Sequence, residues 1–267
     1  MKIGIAGMGA VGLNVAMSLD RGELPSIELA GFCARTKARG AELNAKLKTP
    51  VPHYDMTEIA HHCDIVLECL PPQLFEAVAG PVLDAGKTLI VLSASQLLGR
   101  EYLIVRAKET GAKIIVPSGA IVGIDALKAV AIGTIQSVTV KTSKPVAGLI
   151  NAPYLSKVDI DLATITEPYR LMAGSVTDIA KEFPANINVA AAISLAGLGP
   201  DQTKMEIWAD PNLSHNLHTV SVQSDSSDFT ATIQNRPSDE NPATGKITAQ
   251  SILALLRQIT STVVVGT

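Results

Sequence analysis

A glycine-rich turn near the N-terminus is the part of this sequence with the clearest chemical meaning. The run Lys2-Ile-Gly-Ile-Ala-Gly7-Met-Gly9-Ala-Val-Gly12 predicts a short apolar strand, a Gly-x-Gly-x-x-Gly loop and then a helix. Such a loop places backbone N–H groups at a helix N-terminus, where they bind the pyrophosphate of a dinucleotide. The alternative is a structural glycine turn in another α/β protein. We expect cofactor contacts from six consecutive residues: Gly7, Met8, Gly9, Ala10, Val11 and Gly12.

The residues that follow the second predicted strand bear on the choice of dinucleotide. An acidic residue about 20 positions after the glycines binds the ribose hydroxyls of NAD, whereas an Arg accommodates the 2′-phosphate of NADP. The sequence there is Ala34-Arg35-Thr36-Lys37-Ala38-Arg39, without a carboxylate. We therefore predict a site for NAD or NADP in which NADP is at least accepted, with Arg35 and Thr36 as contacts. The alternative is that these cations form a solvated helix start.

Histidine is the side chain whose ordinary pKa best suits proton transfer near neutral pH, and the chain has five. Three precede the middle strand of the first half and are expected at the surface: His53, His61 and His62. His215 and His218 lie where a loop turns into a strand. Because alternate residues of a strand share a face, Asn216 and His218 can lie side by side. A structural or exposed role is the alternative for His218.

A second candidate, Asn188, follows Phe183-Pro-Ala-Asn-Ile and enters a predicted helix of small residues. Asparagine is a good helix cap, so capping alone would explain it. The functional alternative is contact with the nicotinamide carboxamide or its ribose.

Strands and helices alternate through the first 117 residues, which predicts a parallel sheet with helices on both faces. The predicted strands are Lys2–Ala6, Ile27–Ala34, Ile65–Cys69, Thr88–Leu92 and Lys113–Val116. Ligands bind at the carboxyl ends of such strands. Leu70 and Pro71 stand at one of these ends and are expected to line the nicotinamide side. Pro71 and Pro72 also suit the start of a helix over Gln73–Ala79.

The pattern changes after residue 120, where hairpin-like alternation predicts a mostly antiparallel sheet. Its strands are expected at Val138–Thr142, Met205–Ala209, His218–Ser224 and Asp228–Gln234, and its helices at Ile124–Ile132, Gly174–Phe183 and Val189–Gly197. The fold class is thus α/β, with a Rossmann domain (a doubly wound parallel sheet) over 1–120 and an α/β domain over 121–267. We expect the last helix, at about 244–259, to pack back on the first domain.

Composition excludes several classes of function. The 267 residues are 47% hydrophobic and 18% charged, with a net charge of −3 and no long basic run, which argues against nucleic acid. Apolar runs are too short to span a membrane, and the N-terminus is a strand rather than a signal peptide. The three cysteines, Cys33, Cys63 and Cys69, are expected as buried, reduced thiols of a cytoplasmic protein. Without metal-ligand spacing they predict no metal site.

Several longer motifs occur in one order over nearly the whole chain. They are Pro117-Ser-Gly-Ala-Ile-Val-Gly-Ile-Asp125, Phe183-Pro-Ala-Asn-Ile-Asn-Val-Ala-Ala191, Gly199-Pro-Asp-Gln-Thr203, Ala209-Asp-Pro211, Asn216-Leu-His218, and Asn235-Arg-Pro-Ser238 followed by Asn241-Pro242. In these motifs the sequence resembles the L-aspartate dehydrogenase family. The resemblance implies a Rossmann domain, a second domain for substrate, catalysis and dimerisation, and a homodimer. It also implies oxidation of L-aspartate, through iminoaspartate, to oxaloacetate and ammonia with NAD or NADP.

The same resemblance implies roles for individual residues. His218 falls on the family's catalytic histidine and Asn188 on its cofactor-binding asparagine, while the backbone around Ala120 and Val122 is expected to touch the cofactor. Two positions depart from the family pattern. Ala243-Thr-Gly245 replaces the usual Lys-Thr-Ser, and Val122 replaces a smaller residue, so a domain contact and the space for the cofactor are affected.

A dicarboxylate substrate requires cationic or N–H partners, and we expect Lys144 and Asn216 to supply them. An exposed lysine at a strand end is the alternative for Lys144. Two other functions stay open from sequence: a two-domain dehydrogenase or reductase of homoserine or dihydrodipicolinate type, or a protein that senses NADP(H) without catalysis. The physiological direction, whether NAD biosynthesis, aspartate breakdown or oxaloacetate amination, is equally open.

Overall fold

A computed structural model describes residues 1–238 and 245–266. The chain forms two compact units. The first comprises Met1–Gly119 together with Thr248–Val264, and the second is built from Ala120–Ile247. No helix in the described part of the chain is both long and apolar enough to cross a membrane.

The first unit contains a five-stranded parallel sheet in the order β2-β1-β3-β4-β5. Its strands are β1 (Lys2–Ala6), β2 (Glu28–Cys33), β3 (Ile65–Glu68), β4 (Thr88–Val91) and β5 (Lys113–Ile115). Its helices are α1 (Ala10–Asp20), α2 (Lys37–Asn44), α3 (Ile59–His62), α4 (Phe75–Asp84) and α5 (Glu101–Thr110). The predicted parallel sheet with its intervening helices is confirmed.

Alternate strand residues of the first sheet enter two separate apolar cores. Ile65 and Leu67 pack with α1 and the last helix, whereas Val66 packs with α4 and α5. Because both faces are covered, β3 is apolar at each of these positions.

The helix predicted for Gln73–Ala79 differs from the structure at both ends. Pro72 begins a single 3₁₀ turn, Pro72–Leu74, and α4 follows and continues through Pro81. Val82 and Leu83 are fully buried in the core beyond that proline. Their burial offsets the lost backbone hydrogen bond, which is why the helix does not stop there.

The second unit contains a mixed sheet in the order β10-β9-β6-β8-β7, in which β6 and β8 are parallel and the other pairs antiparallel. Its strands are β6 (Ile135–Lys144), β7 (Tyr169–Ser175), β8 (Lys204–Ala209), β9 (Asn216–Ser224) and β10 (Phe229–Asn235). Its helices are α6 (Ile124–Val130), α7 (Val176–Glu182) and α8 (Asn188–Ala196). The predicted, mostly antiparallel sheet is confirmed.

One strand of the second sheet, β7, has no counterpart among the predicted elements. The helix predicted to begin at Gly174 begins instead at Val176, because Gly174 and Ser175 complete the pairing of β7 with β8. The Ser175 hydroxyl accepts a hydrogen bond from the Asp178 N–H at 3.1 Å and caps α7.

The last helix, α9 (Ile247–Thr260), contributes Ile252 and Leu256 to the core of the first unit, where both are fully buried. The N-terminal boundary predicted for this helix at residue 244, and the Asn241-Pro242 motif, lie outside the described residues.

Candidate active site

The three glycines of the N-terminal turn meet three different requirements. Gly7 has a φ of 98°, and a side chain there would overlap the Cys69 carbonyl. A side chain on Gly12 would overlap the Gly7 carbonyl. Gly9 is different, since a Cβ atom built on it would meet nothing within 4 Å. The space over Gly9 is therefore open, beside the backbone of the helix start.

Helix α1 begins directly after Gly9, and no side chain caps it. Gly9 occupies the cap position by its backbone alone. Met8 precedes Gly9 and is buried, and Ala10 and Val11 lie in the first turn of α1. The first N–H groups of a helix have no partner within it and attract anions. This geometry fits the pyrophosphate of a dinucleotide, which needs both open space over the turn and free N–H donors.

The residues after β2 lie on the surface. Arg35 and Thr36 are both exposed. The Thr36 hydroxyl accepts a hydrogen bond from the Arg39 N–H at 3.1 Å and so caps α2, while the Arg39 guanidinium pairs with Glu42 at 2.7 Å. Arg39 is thus an exposed residue at the start of α2, as in the alternative interpretation. Arg35 provides an exposed cation after the end of β2.

Leu70 and Pro71 follow the carboxyl end of β3. Leu70 is buried, and Pro71 precedes the 3₁₀ turn Pro72–Leu74. They share an edge of the sheet with the glycine turn, because all five strands run parallel.

In the second unit, His218 lies on β9 directly opposite Thr142 on β6. The imidazole is only 4% exposed, and its Nδ1 lies 3.0 Å from the Thr142 hydroxyl oxygen in a buried hydrogen bond. Burial, and secondly the nearby charge of Lys144, lower the pKa of His218 to about 4. The imidazole is therefore neutral at pH 7 and able to accept a proton.

Lys144 ends β6 and shares a strand face with Thr142, two residues away. Its ammonium donates a hydrogen bond to the side-chain oxygen of Asn186. Burial lowers the pKa of Lys144 to about 8. Within the part of the chain that the structure describes, no carboxylate forms an ion pair with this ammonium. A partly buried cation without an acidic partner is suited to bind an anionic ligand.

Lys144, Asn186 and Asn216 converge on a pocket of about 460 Å³. Apolar residues, including Phe183 and Pro184, form part of its wall, and His215 also lines it. His218 does not line the pocket itself, and it lies two residues beyond Asn216 on the same face of β9. The size suits a small polar molecule.

Three other predicted contacts lie in two places: Ala120 and Val122 precede α6, and Asn188 begins α8. The Ala120 carbonyl accepts a hydrogen bond from the Asn235 side chain at 2.8 Å, and Val122 is exposed in the turn that precedes α6. Asn188 is exposed and is the first residue of α8, so the cap position belongs to Ile187.

Two family models match the chain. The one described as "Aspartate dehydrogenase, C-terminal" matches residues 125–259, and the one described as "Homoserine dehydrogenase, NAD binding domain" matches residues 7–117. "L-aspartate dehydrogenase 3" of Bordetella bronchiseptica is 44% identical over 267 residues, which covers 100% of this chain and 98% of that protein. "L-aspartate dehydrogenase" of Bradyrhizobium diazoefficiens is 42% identical, with coverages of 100% and 94%.

The chain belongs to the aspartate dehydrogenase family.

The fold agrees with this family. The crystal structure of aspartate dehydrogenase from Thermotoga maritima superposes with a TM-score of 0.76 at 26% identity, covering 100% of this chain and 99% of that one. The homoserine dehydrogenase model matches the dinucleotide-binding part alone. Residues 125–259, which include most of the second unit, match the aspartate dehydrogenase model instead. The first unit is accordingly a domain for NAD or NADP.

Sequence reasoning missed three residues of this aspartate dehydrogenase family member that form hydrogen bonds with the candidate site residues. Thr142 forms a hydrogen bond with His218, Asn186 accepts one from Lys144, and the buried Glu68 carboxylate accepts one from the Leu70 N–H. Glu68 alone had a visible signal, because it is a carboxylate at the end of the apolar run Ile65-Val-Leu. The described residues include no group of three or more His, Cys, Asp or Glu that could hold a metal ion.

Proposed function

We propose that this protein oxidises L-aspartate to oxaloacetate and ammonia, with NAD or NADP as hydride acceptor, and catalyses the reverse reaction. The relatives named above support the activity. The observation that carries it is the partly buried Lys144 ammonium, which faces a pocket of about 460 Å³ without an acidic partner and beside the neutral His218.

Cofactor binding is assigned to residues of the first unit and to two further segments. The glycine turn, with Gly7, Gly9 and Gly12, would hold the pyrophosphate, and Arg35 would face a 2′-phosphate. Leu70, Pro71, Asn188 and the backbone around Ala120 and Val122 are the candidates for the nicotinamide half. When bound, the cofactor accepts a hydride from the substrate Cα.

Substrate binding is assigned to Lys144 and Asn216. The ammonium of Lys144 would bind one carboxylate of aspartate, and the Asn216 amide would donate a hydrogen bond in the same pocket. A carboxylate on Lys144 offsets the positive charge that helps to lower the pKa of His218. Substrate binding would therefore remove the smaller of the two causes that lower the pKa of His218, while burial, the larger cause, remains.

His218 would act as the general base through Nε2. In the tautomer that we assign, Nδ1–H donates to the Thr142 hydroxyl oxygen, which leaves the lone pair of Nε2 to accept a proton. The neutral amine of aspartate would lose a hydride from Cα and so give iminoaspartate as the protonated imine. His218 would then take a proton from the water that attacks the imine carbon and return this proton to the nitrogen. As ammonia leaves, the new hydroxyl group loses its proton to solvent and oxaloacetate forms.

The test is a spectrophotometric screen of purified protein against amino acids, with NAD and NADP in separate assays. We expect reduced cofactor to form with L-aspartate, and His218→Asn to lower kcat by about 100-fold while the affinity for NADPH stays within about twofold. Wild-type turnover in His218→Asn would remove this residue from the mechanism. Binding of NADPH without any amino-acid-dependent reduction would instead indicate a sensor.

We further propose that the protein is a cytoplasmic homodimer. The reduced state of Cys33 and Cys63 supports the location, since both thiols are free and buried. For the dimer, the support is what the resemblance to the aspartate dehydrogenase family implies. Light scattering after gel filtration measures the mass directly, and a single species of 27.9 kDa would exclude the dimer.

A further inference from the structure

Glu68 is an unusual residue for the place that it occupies. It ends β3, has no exposed surface, and is the one fully buried carboxyl group among the residues that the structure describes. Burial raises the pKa of this carboxyl, and hydrogen bonds from Ser93 and Leu70 oppose the rise. Burying a carboxylate lowers the free energy of unfolding unless its oxygens accept hydrogen bonds.

The Glu68 carboxylate joins the chain segments that follow two adjacent strands. Its Oε1 accepts hydrogen bonds from the Leu70 N–H at 2.8 Å and from the Ser93 hydroxyl at 3.1 Å. Its Oε2 accepts one from the Ser93 N–H at 3.0 Å. Leu70 follows β3 and Ser93 follows β4, so a single side chain sets the distance between these two segments.

The order of the strands shows which half of a dinucleotide these segments serve. The pyrophosphate is assigned to the glycine turn after β1, and the adenosine 2′-phosphate to Arg35 after β2. Strands β3 and β4 lie on the opposite side of β1 from β2. The segments that Glu68 joins are therefore on the nicotinamide side of the sheet edge.

We propose that Glu68 is a positioning residue for the nicotinamide half of the cofactor, which it serves by fixing the segments that begin at Leu70 and Ser93. This role rests on dinucleotide binding by the first unit. Glu68 acts through those segments, and the adenosine half, held by the glycine turn and the end of β2, does not depend on it.

The variant Glu68→Gln tests this role because it keeps the size of the side chain and changes one oxygen to an NH₂ group. Both oxygens of Glu68 accept hydrogen bonds from N–H groups. In either orientation of the amide, its NH₂ group therefore faces another donor, and one segment must move. Ser93→Ala removes one of the three hydrogen bonds and is the milder variant.

The experiment compares two ligands. NADPH binding is followed by nicotinamide fluorescence, and binding of 2′,5′-ADP, which contains the adenosine half alone, by calorimetry. We expect Glu68→Gln to weaken NADPH about tenfold and Ser93→Ala about threefold, while both bind 2′,5′-ADP within about twofold of wild type. The control is Val82→Ala, a truncation of a fully buried residue in α4, which lowers the melting temperature but leaves NADPH affinity unchanged.

Equal weakening of both ligands by Glu68→Gln and Ser93→Ala would overturn the proposal, because it would show a general structural role. Unchanged NADPH affinity in both variants would overturn it as well. If Glu68→Gln does not fold, Ser93→Ala decides between these outcomes. Failure of the wild-type protein to bind either ligand would refute dinucleotide binding itself, a result that is distinct from the other two.

Discussion

The substitution Lys144→Met separates the function of this lysine from its effect on stability. Methionine retains most of the length and the apolar volume of the side chain and removes the ammonium. Because the charge is partly buried beside His218 and has no acidic partner among the described residues, its removal is expected to stabilise the protein without ligand. The same change is expected to abolish binding of a dicarboxylate.

The magnitude follows from the pKa. Its drop from 10.5 to about 8 corresponds to roughly 3 kcal/mol, at about 1.4 kcal/mol for each pH unit. Lys144 lines an open pocket and retains some exposure, so solvent screening reduces this figure. Asn186 also loses its partner, although it can turn to water. We expect Lys144→Met to raise the free energy of unfolding by about 1–2 kcal/mol at pH 7.

Urea unfolding at several pH values tests whether the charge of Lys144 causes the difference in the free energy of unfolding between wild type and Lys144→Met. Below pH 8 the lysine is protonated in both the folded and the unfolded states, so the stabilisation by methionine is complete. Between about pH 8 and 10.5 the folded protein releases this proton while the unfolded chain keeps it, and the wild type gains stability as the pH rises. The difference between the two proteins should therefore shrink over this range.

Malonate or succinate, dicarboxylates without an amine to oxidise, supply the second arm of the test. At 100 times its dissociation constant such a ligand adds about 2.7 kcal/mol to wild-type stability, and it should add nothing measurable to Lys144→Met. A less stable Lys144→Met protein, or a stability difference that does not vary between pH 7 and 10, would refute the reasoning. Equal stabilisation of both proteins by malonate would remove Lys144 from the substrate site.

Three further predictions concern orientation, specificity and the glycine turn. Thr142→Val should lower kcat about tenfold in steady-state assays, because the His218 Nδ1 loses its partner, and Thr142→Ser should restore it; equal loss in both would show a packing effect. Arg35→Ala should raise the KM for NADP about tenfold and leave that for NAD unchanged, whereas parallel changes would refute contact with the 2′-phosphate. Gly9→Val should abolish NADPH binding with little change in melting temperature, whereas Gly12→Ala, which overlaps the Gly7 carbonyl, should lower that temperature by several degrees.

Local signals made the first unit predictable. Glycines, an apolar strand and helical spacing all lie within the first 20 residues, and β1 occurs with the predicted bounds Lys2–Ala6. Strand β7 could not be found in this way, because it has one buried residue, Leu171, and forms through its pairing with β8, which follows it only after helices α7 and α8. Non-local pairing, rather than local propensity, creates this edge strand.

The partners at the site were hidden for a related reason. Thr142 and His218 are 76 residues apart, and Lys144 and Asn186 are 42 apart. Residue types predicted His218 and Lys144 as candidates, but their partners depend on the register of β6 against β9 and on where α8 begins. Sequence patterns do not specify the strand register or the start of the helix to within one residue. A shift of one residue in the register of β9 would place its side chains on the opposite face of the sheet.

The positions of the ionisable groups explain why this fold tolerates them. Glu68 ends β3, Lys144 ends β6, and His218 lies near the start of β9, which runs antiparallel to β6. The strand interiors keep apolar residues such as Val140 and Val220 in the core. The unfavourable groups are thus confined to strand ends, where backbone N–H groups satisfy Glu68 and a substrate carboxylate can satisfy Lys144. If Lys144 binds the substrate as proposed, binding would restore stability that the protein lacks without ligand, and affinity for the dicarboxylate would depend on the burial of this one charge.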